Sequence, residues 1–351
     1  MGTDSTSGSR ASARPSSSTS ELFGGIYARG AVAGAVSDEA WLQAMLDVEA
    51  ALGGRAVHVE EIDVSELGRA AAEHASPVVP LAERFFSETH AGATSQDILD
   101  TAMMLVAKRA LSPLLDDARA ASDAAAALAE AHRETPIMAR TLLQDALPTS
   151  FGLKAAGWMV AIDEAAAPLL EVPLAVQMGG PVGHRDPGVA AAVARELGLA
   201  VPLLPWHTNR LRPVALASFL GALAGVLGKI ARDVTLMPEL REGVEGRGRS
   251  SAMAHKRNPV AAVSVLACTR RVPGLVATMF AAMEQEHERA AGAWQAEWGT
   301  LTDLFRLTGS AAAWARDLLE HLEVDAGAIG DDADLGASST LIDRALEAHR
   351  G

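Results

Sequence analysis

Residues 214–231 read "VALASFLGALAGVLGKIA", a run whose only polar side chains are Ser218 and Lys229. Alanine and leucine dominate it, and its few β-branched residues do not alternate, so the backbone preference is α-helical. A helix with so little polar face must be covered on most of its circumference, by its own chain or by other copies of it. That requirement points to an all-α fold built as a bundle of long helices.

The rest of the chain agrees. From Ser37, "SDEAWLQAMLDVEAAL" offers a Ser/Asp start and places Trp41, Met45, Val48 and Leu52 on one stripe, an amphipathic helix. A short segment follows around Ile62 to Leu67, then a Pro-flanked connection, "SPVVPL". After "HAGATSQD" an Ala/Leu-rich run reaches about Arg133, and Pro113 should kink or split it. Further helices are expected over Leu147–Leu170, Leu211–Leu240 and Pro259 to about Leu322, the last bent near Pro273 and Gly292. "QMGGPVGHRDPG" is turn chemistry, and the end, "GDDADLGASSTLIDRALEAHRG", reads as an acidic linker and one short helix.

With 351 residues, 49% of them hydrophobic, the chain can bury a large core, and its net charge of −14 argues against nucleic acid or an anionic membrane as main partner. No uninterrupted apolar run reaches the roughly 18 residues of a membrane span. The Ser-rich start lacks a signal peptide's apolar core and reads as a tail. Cys268 is the single cysteine, which excludes an intrachain disulfide and fits a cytoplasmic setting. No HExxH, paired CxxC, Walker loop or strand-associated GxGxxG is present, so no metal or nucleotide cofactor is expected.

Against this acidic background, residues 246–259, "GRGRSSAMAHKRNP", hold four Lys/Arg and no Asp or Glu. Gly243, Gly246 and Gly248 loosen the approach, Ser250 and Ser251 supply hydroxyls, and Lys256 and Asn258 supply a point charge and directed donors. Such a loop can close on a carboxylate; a solvated basic loop is the bland alternative. In "HAGATSQD", Thr94 or Ser95 stands where a helix begins, with Asp97 in capping-box spacing, so hydroxyls and free amides there can receive an anion or simply cap the helix. His90 is open between a site and a structural role. In "ARTLLQDALPTSFG", Arg140, Thr141, Gln144 and Asp145 sit at a break before a helix, where structural roles are favoured from spacing alone. "EQEHERAAGAWQAEW" places Glu284, Glu286, His287 and Glu288 on helical turns, usually a salt-bridged face.

Together these segments resemble the fumarase/aspartase superfamily, specifically its 3-carboxy-cis,cis-muconate cycloisomerase branch, from about Leu22 to Leu322. "SSAMAHKRNP" is similar to the superfamily's S-S-x-M-P-x-K-x-N-P loop, "HAGATSQD" and "RTLLQDALPTSFG" to its other two active-site segments, and "EHERAAGAWQAEW" to the cycloisomerase branch. The resemblance implies a helical homotetramer whose sites are shared between subunits, acting on a polycarboxylate that it converts from 3-carboxy-cis,cis-muconate to 4-carboxymuconolactone. It implies Ser250 as catalytic acid or base, Lys256 and Asn258 on the substrate carboxylate, Thr94 and Ser95 as further anion contacts, and His90, Thr141 and Gln144 in the pocket. Leu142 replaces the histidine of fumarases and adenylosuccinate lyases, which favours the cycloisomerase branch. Arg249 and Ala254 replace a glycine and a proline of the loop, and Arg249 is a candidate contact to a more anionic substrate. The expected organisation is a tail over 1–20, an N-terminal helical domain over 21–100, a central bundle over 101–325 and a short linker and helix over 326–351, most of the superfamily's C-terminal domain being absent. The alternatives are a 3-sulfomuconate cycloisomerase, another elimination lyase of adenylosuccinate type, and a catalytically silent scaffold.

Overall fold

A computed structural model describes residues 21–90, 92–253, 255–325 and 333–351. The expected tail, Ala254 and most of the acidic linker lie outside the described residues. Helices α1 (Glu21–Tyr27), α2 (Val32–Ala35), α3 (Asp38–Ala51), α4 (Val64–His74) and α5 (Val78–Phe85) precede the 37-residue α6 (Ser95–Ala131). A hairpin of β1 (Pro136–Thr141) and β2 (Gln144–Ser150) leads into α7 (Phe151–Glu171), α8 (Pro187–Leu197) and α9 (Leu211–Leu236). Strand β3 (Leu240–Glu242), α10 (Val260–Thr269), α11 (Val272–Ala281), α12 (Ala293–Glu320), β4 (Leu322–Val324) and α13 (Ser338–Arg350) complete the order.

Among the described residues the fold is all-α apart from two small antiparallel ribbons, β1–β2 and β3–β4. Helices α6, α7, α9 and α12 pack as a bundle, with α10 and α11 laid on α9 and α12, α3 against α6, and α13 against α7. Ile98, Met103 and Leu114 of α6, Trp158 and Met159 of α7, Leu216, Leu220 and Leu227 of α9, and Leu304 and Phe305 of α12 form its dry centre. The burial of such side chains, each stabilising by roughly 1.5–3 kcal/mol, makes the bundle tolerate local faults. Pro113 is one: α6 runs through it unsplit, because packing against α7 and α12 outweighs the roughly 3 kcal/mol a mid-helix proline costs.

Other expectations change. "SPVVPL" is not a connection but the start of α5, with Pro77 at the N-cap and Pro80 in the first turn, where missing N–H groups cost nothing. The helix expected from Leu147 begins at Phe151; residues 136–150 form the hairpin, and Ser150 caps α7 by accepting the Leu153 N–H at 3.0 Å. The stretch 259–322 is three helices rather than one bent rod. Residues 284–288 are irregular, with His287 in the left-handed region, so the Glu/His run is no helical face.

Helix α9 and the segment Val260–Ala281 are long and apolar enough, by composition, to cross a membrane, which the uninterrupted-run criterion had passed over. Half of α9's most apolar window is buried inside the bundle. Its other side exposes small residues, Ala222 and Gly225, while Val263 of α10 and Phe280 of α11 are also exposed.

Candidate active site

One end of the bundle is locked by a buried charge network. Arg210, at the N-cap of α9, donates to Asp100 of α6 at 2.7 and 3.0 Å and to Glu297 of α12 at 2.5 Å. Trp294 and Gln285 donate to the same two carboxylates. Burial alone would lower the Arg210 pKa, but the two carboxylates raise it, while burial pushes Glu297 up against Arg210's pull. One turn before Asp100, buried Asp97 accepts from Gln177 Nε2 at 3.0 Å, the backbone N–H groups of Gly179 and Gly180 at 2.9 and 2.8 Å, and contacts His207 Nε2 at 3.0 Å. Asp97 also accepts the Thr94 N–H at 3.2 Å, the capping box read from spacing. Thr94 and Ser95 are thus fixed, half-buried, at the start of α6.

Arg289, from the "EHERAAG" stretch, braces this corner: it donates to Gln96 Oε1 at 2.8 Å and to the Gly180 carbonyl at 2.7 Å, and its burial lowers its pKa. His90, four residues before Thr94, has its Nδ1 2.7 Å from Glu49 Oε1 of α3.

The opposite end carries the other two segments. The register Thr141↔Gln144 leaves Leu142 and Leu143 as a two-residue turn, both at positive φ, 51° and 64°, the geometry of a tight hairpin connection. Thr141 and Gln144 flank that tip, exposed. Arg140 just behind it donates to Glu239 at 2.8 Å; burial favours the neutral Glu239 carboxyl, but the Arg140 bond prevails and lowers its pKa.

The basic loop closes on itself. The Asn258 N–H and Nδ2 both donate to the Gly248 carbonyl, at 2.8 and 3.2 Å, and the backbones of Arg249 and Arg257 pair antiparallel, so the loop between them hangs on a narrow neck. Arg247, below the neck, pairs with Asp317 of α12 at 2.8 Å and lies over Trp314. Arg249 and Lys256 are exposed. Ser250 Oγ accepts the backbone N–H groups of Ala252 and Met253 at 3.3 and 3.1 Å. Those donors favour negative charge on the oxygen and make the hydroxyl a better acid than its free form. Glu242 accepts the Ala261 and Ala262 N–H groups at the start of α10, so that helix end is already occupied by an anion. A recess of about 680 Å³ lies under the loop, lined by Leu236, Met237, Glu242, His255, Arg257 and Asn258.

The expected residues therefore fall into two groups. Asn258 lines the recess at residues 236–242, beyond the C-terminal end of α9, and Arg140 beside Thr141 reaches Glu239 there, so the hairpin tip with Thr141 and Gln144 and the loop with Arg249, Ser250 and Lys256 both belong to that end. His90, Thr94 and Ser95 stand at its N-terminal end, beside His207. The 26 residues of α9 hold these ends about 39 Å apart, so one chain does not bring all three segments together. The sequence reading missed Glu49, Asp97's role as anchor, Glu242 and Arg289. For the first three, the missing information is a partner distant in sequence; Arg289 lay inside a quoted motif whose helical reading hid it.

The Lyase family model matches residues 56–274. A 3-carboxy-cis,cis-muconate cycloisomerase of Bradyrhizobium diazoefficiens is 40% identical over 91% of this chain and 80% of its own length. A nitrosuccinate lyase of Streptomyces davaonensis is 38% identical over 93% of this chain and 79% of its own. The crystal structure of 3-carboxy-cis,cis-muconate lactonizing enzyme from Pseudomonas putida superposes with a TM-score of 0.82 at 36% identity, covering 93% of this chain and 80% of that one.

Proposed function

The chain belongs to the Lyase family, the fumarase/aspartase superfamily, and on that premise we propose that it is a cycloisomerase converting 3-carboxy-cis,cis-muconate to 4-carboxymuconolactone. The observation that carries the reading is Ser250 on a neck-closed cationic loop, its hydroxyl polarised by two backbone N–H groups, in a chain so similar to several enzymes of that name.

In the reaction one carboxylate oxygen bonds to a carbon of the conjugated diene. The electron pair of that double bond passes toward the neighbouring carboxylate, which becomes an aci-carboxylate, and a proton then adds to the carbon beside it. Atoms balance within the substrate apart from this proton, which Ser250 delivers. Lys256, Asn258, Thr94 and Ser95 stabilise the charge that builds up, and Arg249, Gln144 and Thr141 contact the rest of the polycarboxylate. Holding the diene folded supplies the proximity contribution.

Thr94 and Ser250 stand at opposite ends of α9, which supports sites that take their segments from different copies; the family resemblance supports a homotetramer of cytoplasmic setting, with the small-residue side of α9 as the face it would bury. The test is loss of diene absorbance on adding 3-carboxy-cis,cis-muconate, with 3-sulfomuconate, nitrosuccinate and adenylosuccinate in parallel and Ser250→Ala as control. Turnover of the carboxymuconate that disappears in Ser250→Ala supports the reading, and an inert carboxymuconate overturns it. The similarity to a nitrosuccinate lyase supports a second reading, an elimination lyase on a succinate-type acid; turnover of nitrosuccinate alone would select it.

A further inference from the structure

Glu49 is an odd residue for its place. It lies on the inner face of α3 among buried Met45, Leu46 and Val48, and is itself fully buried. A leucine or methionine would fill that position without the cost of burying a carboxylate, which is several kcal/mol for an ion not well compensated. Its compensation is thin: Oε1 meets His90 Nδ1 at 2.7 Å, and Oε2 is buried with no hydrogen-bond partner among the described residues. The His90 side chain is 21% exposed, four residues before Thr94. A network built for stability would have satisfied both oxygens; this buried carboxyl faces a single nitrogen of a partly exposed ring.

An ionised carboxylate only accepts hydrogen bonds, so the nitrogen facing it must carry the proton, and the second nitrogen of the ring is left for other work. We propose that Glu49 is a positioning residue that holds His90 in the Nδ1–H form and presents Nε2 to the substrate beside Thr94 and Ser95. The inference rests on the proposed function for the identity of the substrate, but the tautomer itself does not depend on it.

The experiment is carried out on the full-length protein, with ¹⁵N-histidine NMR of the ring and steady-state kinetics with 3-carboxy-cis,cis-muconate. The wild-type His90 signals should show a protonated Nδ1. In Glu49→Gln, whose amide can donate as well as accept, that preference should be lost, kcat should fall about 10- to 100-fold with KM nearly unchanged, and the melting temperature should hold. His90→Gln should lose at least as much, and Glu49→Gln combined with His90→Gln should lose no more than His90→Gln alone, because the two residues act as one unit. An Nε2–H ring in the wild type, an unchanged kcat in Glu49→Gln, or independent losses that multiply in the double variant would each overturn the proposal. If the wild type turns over no carboxymuconate, the proposed function fails, while the NMR result still decides the pairing.

Discussion

Gly248 and Gly246 both lie in the left-handed region, at φ +72° and +78°, but their surroundings differ. A Cβ on Gly246 meets nothing within 4 Å, whereas one on Gly248 would lie 2.2 Å from the Asn258 carbonyl oxygen and 2.9 Å from its nitrogen. Gly246→Ala therefore costs only the backbone strain, about 1 kcal/mol. Gly248→Ala adds to that strain the two hydrogen bonds from Asn258 to the Gly248 carbonyl, each about 1 kcal/mol net. Its total of about 3 kcal/mol corresponds to a loss of up to roughly 150-fold in neck-closed loop, against roughly fivefold for Gly246→Ala. Because the loop is exposed and opens locally, the melting temperature should barely move in either variant. The assay is the initial rate of diene-absorbance loss with 3-carboxy-cis,cis-muconate. If Gly248→Ala loses no more activity than Gly246→Ala, the neck does not set the geometry of Ser250 and Asn258, and the reasoning is refuted.

Removing Arg210 as Arg210→Met leaves Asp100 and Glu297 buried without their cation and should cost about 3–5 kcal/mol in denaturant unfolding; a loss below 1 kcal/mol would contradict the role given to the network. Cys268 is fully buried and burial pushes its thiol pKa up, so a disulfide reagent should label it only on unfolding, and rapid labelling of the native protein would count against this packing. Burial also holds His132 below its ordinary pKa near 6.5 while its ring packs edge-on against Phe151. Between that lowered value and 6.5 the unfolded chain binds more protons, so stability should rise with pH through this window and level off above it. His132→Phe should flatten that part of the unfolding profile; an unchanged slope would remove the histidine as its cause.

Most helices were legible because their signals are local. Ser37 caps α3 at the residue expected, and Met45 and Val48 are buried as their spacing requires. Thr94 and Asp97 form the capping box that three-residue spacing announces. The hairpin was not legible, because its turn is Leu142–Leu143 rather than the Asn-Gly or Asp-Gly pair that favours positive φ, and leucine is a helix former. The start of α5 was hidden by prolines that mark a loop in isolation and suit a first helical turn in context. In the site, the loop's composition singled out Ser250, Lys256 and Asn258, yet what sets Ser250 is its own turn, and what sets the loop is a contact ten residues apart. Glu49 shows the limit most clearly: 41 residues separate it from His90, and no local pattern distinguishes it from the solvent-facing carboxylates of α3.

In the proposed assembly a complete site joins the Ser250 loop of one copy to the Thr94 segment of another, and co-expression of two inactive chains tests this directly. Ser250→Ala spoils one end of α9 and His90→Gln the other, so mixed assemblies contain some sites with both ends intact. The purified mixture should turn over 3-carboxy-cis,cis-muconate well above either variant alone; a mixture of assembled heteromers as inactive as its parents would rule out the shared site.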